Sequence, residues 1–127
     1  MDMNEELLNE ARKRLDKLHD MYYARHGDNI CKPFNNEHDL LVDVRKILLL
    51  AEPYCYTIRQ DAKTVAGIPD LIVCINGKFL ALELKDNTGQ LSEPQKKNIR
   101  AIVGAGGIAI ELRTIEELFK ALYACLE

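Results

Sequence analysis

Asp70, Glu83 and Lys85 are the residues of this 127-residue chain whose types and spacing could do chemistry together. Asp70 opens the apolar run 71–75, an Asn76-Gly77 pair follows, and the chain returns through a second apolar run, 79–85, that carries the other two. An Asn-Gly pair between two such runs is the strongest short-range signal for a β-hairpin closed by a type I′ turn. With Asn76 and Gly77 as the loop, Ile75 faces Lys78, and counting outward brings Asp70 opposite Glu83. Directly opposed side chains on antiparallel strands have Cβ atoms about 4.5–5.5 Å apart, and like charges there destabilise the pair. A divalent cation held between the two carboxylates would offset that repulsion. Glu83 and Lys85 are two apart on one strand and point to the same face, while Leu82 and Leu84 point to the other. A solvated charge cluster is the plain alternative, but a surface hairpin would have gained from a lysine opposite Asp70 and has an acid instead.

These residues stand within a longer pattern. Gly67-Ile68-Pro69-Asp70-Leu71-Ile72, then Glu83-Leu84-Lys85, Gly89-Gln90-Leu91-Ser92 and Gln95, resembles the active-site signature of the PD-(D/E)XK nuclease superfamily and its VRR-NUC branch in particular, in its stand-alone, single-domain type. The resemblance covers roughly residues 36–112. It implies a restriction-endonuclease-like α/β core and a metal-dependent DNA endonuclease. Asp70, Glu83 and the backbone carbonyl of Leu84 would hold Mg²⁺ or Mn²⁺, and Lys85 would orient the attacking water. Gln95 would lie near the reacting phosphate, and Glu37 matches the helical acidic ligand of many such nucleases. Gly67 matches the position where the chain turns sharply into the metal-binding strand. Stand-alone chains of this type resemble dimeric junction resolvases, so four-way junction resolution by a homodimer is the expected activity. The alternatives are a less selective nicking, flap or duplex nuclease of a phage or mobile element, and a catalytically silent DNA-binding module.

The elements that must position these side chains are legible in the pattern. Residues from about 4 to 23 read as an amphipathic helix with Leu7, Ala11, Leu15, Leu18 and Tyr22 on one stripe. This helix belongs to an N-terminal extension, residues 1–30, expected to pack or dimerise, ahead of a nuclease-like region, 31–127. Its charges are mixed in sign, unlike those of a basic arm for DNA. Gly27, Asp28, Asn29 and Pro33 mark a loop. Asn35 or Asn36 caps a second helix that runs to about Ala51, where Pro53 stops it. Glu37, in the first turn, lies on the same inward stripe as Leu40 and Leu41, although an acid there also suits the helix macrodipole.

Residues 54–60 read as a strand containing Arg59, a candidate phosphate contact. The polar segment 61–66 carries Lys63, which exposure alone explains. After the hairpin, Ser92 and Gln95 form an S-x-x-Q capping box for a helix running to about Val103. Its Ile99, Ile102 and Val103 would face the core, while Lys96, Lys97 and Arg100 would be exposed and available to DNA. Gly104, Gly106 and Gly107 end it. A strand at 108–112 and a last helix capped by Thr114 and Glu117 complete the chain. A strand, helix and strand in that order give a parallel crossover. The expected fold is therefore α/β, a mixed sheet of about four strands flanked by helices.

Composition narrows the classes. A chain of this length is most simply one structural domain. No apolar run approaches the roughly 20 residues that span a bilayer, and the acidic start is not a signal peptide. A cytoplasmic setting, in a bacterium or a phage-infected cell, is expected, with DNA and a second copy as partners, no membrane and no organic cofactor. Cys31, Cys55, Cys74 and Cys125 are scattered without a CxxC pair and read as reduced, Cys55 and Cys74 as small hydrophobes in strands. His19, His26, Cys31 and His38 match no usual zinc spacing. The net charge of −3 offers no general attraction for nucleic acid, but the bunched cations after the hairpin form a local patch that can.

Overall fold

The computed structural model describes residues 3–60 and 65–127. The order of elements is α1 (Glu5–His26), a short 3-10 helix (Gly27–Cys31), α2 (Glu37–Leu50), β1 (Cys55–Arg59), β2 (Leu71–Ile75), β3 (Lys78–Leu84), α3 (Glu93–Gly104), β4 (Ile108–Leu112) and α4 (Ile115–Cys125). The strands form one mixed sheet in the order β1-β2-β3-β4. β1 and β2 pair antiparallel, β2 and β3 antiparallel, and β3 and β4 parallel. This is the α/β architecture expected from the sequence, with the parallel step made through α3. Part of the expected loop before α2 is instead the 3-10 helix, because Ile30 turns inward and is buried.

The hairpin has the expected register. Ile75 pairs with Lys78 and Leu71 with Leu82, and Asn76 and Gly77 both have positive φ, 51° and 71°, as a type I′ turn requires. The turn is also fastened from outside. Asn76, nearly buried, accepts a hydrogen bond from the Met3 amide and donates to the carbonyl of Cys125, which also accepts from Lys78 Nζ.

The core lies on one face of the sheet. Leu71, Val73 and Ile75 of β2 and Leu80, Leu82 and Leu84 of β3 pack there with Leu40, Val44, Ile47 and Leu48 of α2 and Leu118, Phe119 and Leu122 of α4. Ala11, Leu15 and Leu18 of α1 join the same cluster and Tyr22 packs against it, so most of the apolar stripe of the N-terminal helix is buried within the chain, while Leu7 at its start is exposed. All four thiols are free. Burial pushes the Cys55 thiol up to about 11, whereas Cys74, on the other side of the sheet, is exposed rather than packed as a small hydrophobe.

Among the described residues, that other side carries α3 alone. α3 has no fully buried residue and Val103 is 55% exposed, against the expectation that it would face the core. Among the described residues α3 is covered on one side only, which leaves each of its residues at least partly accessible. Tyr56, Ile58 and Phe79 of this face are also exposed.

Candidate active site

The site is built at the end of the sheet where β2 begins and β3 ends. Leu71 and Leu82 are the last paired residues of the hairpin there, and the next two positions outward are Asp70 and Glu83. Asp70 has left the ladder, and its Oδ2 accepts the Leu84 amide at 2.8 Å. The backbone runs on from Asp70 beside β1, since the Gln60 amide donates to the Asp70 carbonyl at 2.9 Å.

Glu83 is only 2% exposed. Such burial of a carboxylate is costly without strong donors, and one of them is Gln95, whose Nε2 donates to Glu83 Oε1 at 2.7 Å. The same Gln95 side chain accepts the Ser92 amide through Oε1 at 2.8 Å, while Ser92 Oγ accepts the Gln95 amide at 3.2 Å. The capping box expected of Gln95 is thus present, and the same amide also holds Glu83. Lys85, half-buried, follows at the end of β3 and its amide donates to the Leu112 carbonyl at 3.0 Å.

Gly67 seats the chain before Asp70 against the first turn of α3. Its φ is +86°, and a Cβ there would stand 2.4 Å from both the carbon and the oxygen of the Pro94 carbonyl. Only glycine meets both demands.

Glu37 is the first residue of α2 and is exposed. Its helix is capped by Asn36, which accepts the Asp39 amide. The segment ahead of it is tied to the ends of β3 and β4. Phe34 donates to the Arg113 carbonyl and accepts the Asn87 amide, and Asn87 also donates from its side chain to Asn35. Glu37 therefore starts its helix at the same end of the sheet as Asp70, Glu83 and Lys85.

Among the described residues, no three or more His, Cys, Asp or Glu side chains gather as a metal-holding group. At the sheet end the oxygen donors are the carboxylates of Asp70 and Glu83 and nearby backbone carbonyls, while the neighbouring Glu111 is taken up by an ion pair with Arg113. That set fits Mg²⁺, which is held by one or two carboxylates plus substrate oxygens and retained waters.

The cations divide. Lys96 pairs with Glu93 at 3.3 Å, while Lys97 and Arg100 border a cleft with Ala66, Pro94 and Asn98. Arg59 ends β1 opposite Leu71, one residue from Asp70. Lys63 lies outside the described residues.

Sequence reasoning missed Glu111 and Arg113. Glu111 is the β4 partner of Glu83, so the parallel pairing puts a third acid on the same face. Arg113 forms an ion pair with it and donates to the carbonyls of Asp86 and Gly89, bracing the loop that follows Lys85. Within that loop Asp86 accepts the amides of Thr88 and Gly89, which holds its carboxyl below the usual range. A signal was present: Glu83-Leu84-Lys85 and Glu111-Leu112-Arg113 are near copies at the ends of two strands expected to be parallel.

No protein-family model matches the chain, and no curated protein matches it. Among solved structures it is similar to a chain described as a "VRR_NUC domain", with a TM-score of 0.56 and 16% identity over 68% of this chain and 94% of that one. At that identity the likeness is one of fold, and the chain thus has the fold of a VRR_NUC domain.

Proposed function

We propose that this chain is a metal-dependent DNA endonuclease of the VRR-NUC type within the PD-(D/E)XK superfamily, acting on branched DNA as a homodimer. The observation that carries the reading is that Asp70 and Glu83 each follow directly on the last paired residues, Leu71 and Leu82, at the open end of the hairpin, with Asp70 bonded to the Leu84 amide and Lys85 two residues on from Glu83. A fold alone does not imply an activity, and it is this constellation that a binding module has no need to hold.

Asp70, Glu83 and the Leu84 carbonyl would hold Mg²⁺ or Mn²⁺, with Glu37 joining directly or through water. The ion supplies charge stabilisation on the phosphate and the leaving oxygen, and lowers the pKa of a bound water. The chain's own groups do the rest. Gln95 fixes the rotamer of Glu83 by donating its side-chain amide to Oε1. Lys85 orients the attacking water and offsets the negative charge that builds on the phosphate. Lys97, Arg100 and Arg59 contact the DNA backbone on either side, with Lys96 between its partner Glu93 and the phosphate.

The test is cleavage of labelled four-way junction, flap, duplex and single-stranded DNA in Mg²⁺ and Mn²⁺. Paired cuts in the junction are expected, lost in EDTA and reduced by about 10²–10³-fold or more in Asp70→Asn, Glu83→Gln and Lys85→Ala. Cutting of every substrate would replace junction resolution by a less selective nuclease. Binding without cutting in either metal would make the chain a silent module.

A further inference from the structure

A groove of about 340 Å³ runs between α2 and the free edge of β1, apart from the acidic pair and on the core side of the sheet. One wall is a single face of α2, Val42, Arg45, Lys46 and Leu49, and the other is Thr57 and Arg59 of β1. Three cations line it against one acid, Glu52, in a chain whose net charge is −3. Arg45 and Lys46 are exposed and have no ion pair among the described residues. Leu49 is 66% exposed beside them, a large apolar side chain left bare where a solvated helix face would carry a polar one.

We propose that this groove is a second DNA-backbone site, which holds an arm of the substrate away from the bond to be cut; the inference rests on the reading of the chain as acting on DNA. Two observations select the occupant. The first is charge, since phosphodiesters are bound chiefly by Lys and Arg. The second is continuity: Arg59, which lines the groove, pairs with Leu71, and Leu71 follows Asp70. A strand leaving the acidic pair would round the end of the sheet at Arg59 and then run along α2. The face from Val42 to Leu49 is about 10 Å long at the rise of an α-helix, long enough to take more than one phosphate of a DNA strand. Val42 and Leu49 offer apolar surface to the sugars between them.

The test measures binding, without catalysis. Fluorescence anisotropy in EDTA, over a series of salt concentrations, compares wild type with the double variant R45Q/K46Q on labelled duplex and four-way junction. Both substituted positions are exposed, so the thermal melt is expected to be unchanged. The variant should bind about tenfold more weakly, and the slope of log affinity against log salt should fall by about 1.8 for two lost phosphate contacts. K17Q/K120Q, which removes equal charge from exposed positions on α1 and α4, should leave that slope alone. An unchanged affinity and slope in R45Q/K46Q would overturn the groove while leaving the nuclease reading to its own cleavage test. Groove-dependent binding by a protein that cuts nothing in Mg²⁺ or Mn²⁺ would uphold the groove and remove the nuclease. Absence of DNA binding by wild type, or capture of a labelled polyglutamate peptide in place of DNA, would also overturn it.

Discussion

At the scale of single residues, Gln95 ties the stability of a helix to the geometry of an acidic pair. Its oxygen closes the N-terminus of α3 and its nitrogen holds Glu83. The two jobs separate by substitution. Ser92→Ala removes the cap's hydroxyl and should cost about 1 kcal/mol of stability, measured by urea unfolding, with cleavage scarcely changed. Gln95→Glu keeps an acceptor for the Ser92 amide but replaces the donor facing Glu83 with a second carboxylate. Groups that orient a metal ligand are worth about 10–100-fold in affinity or activity, so cleavage should fall by that factor and stability by less. Equal losses of cleavage in the two variants would mean that Gln95 acts only as a cap.

At the scale of elements, the hairpin was readable because its turn chemistry is local: Asn76 and Gly77 fix the register, and the register fixes which acids meet. Both capping boxes were readable for the same reason. The bracing of the site was harder to see, since Arg113 acts through carbonyls 24 and 27 residues away in sequence, and side-chain bonds to distant backbone leave no periodic trace. Gly67 falls between these cases. Its match to the signature marks a sharp turn, but the need for glycine comes from Pro94, an element away. Gly67→Ala forces a Cβ against a backbone carbonyl that no rotamer can relieve. It should destabilise by about 1–3 kcal/mol and displace Asp70 from Leu84, so cleavage at temperatures where the fold persists should also drop. Gly104→Ala, where nothing stands within 4 Å, should be neutral or slightly stabilising. Like behaviour of the two variants in urea titrations would show that the turn is not seated on α3.

At the scale of the whole molecule, the sequence and the fold disagree over one face of the sheet, and that disagreement points outward. β2 reads Leu-Ile-Val-Cys-Ile, and β3 begins Lys-Phe-Leu-Ala-Leu. Continuous apolar runs of this kind belong to strands buried on both faces. One face is covered by α1, α2 and α4, yet on the other α3 leaves Tyr56 66% and Phe79 45% exposed, both flanking Cys74, with Ile58 two residues along β1. Scattered exposed apolar side chains are ordinary, but a contiguous set on a sheet face marks an interaction surface. The accessible surface of the chain is 7511 Å², and a standard interface of about 800 Å² per partner is near a tenth of that, an area that a sheet face and the end of α3 can supply. A second copy docking on this face would place two acidic sites in one particle, as paired cuts across a two-fold axis require. Light scattering after size exclusion should give twice the chain mass at micromolar concentration, and Tyr56→Asp with Phe79→Asp should give the monomer with its melt largely preserved, because both side chains already face water in the single chain. Junction cleavage by that monomer should lose the pairing of its two cuts before it loses cutting itself. A wild-type monomer would remove the homodimer, and a dimer that survives both aspartates would move the contact to another surface.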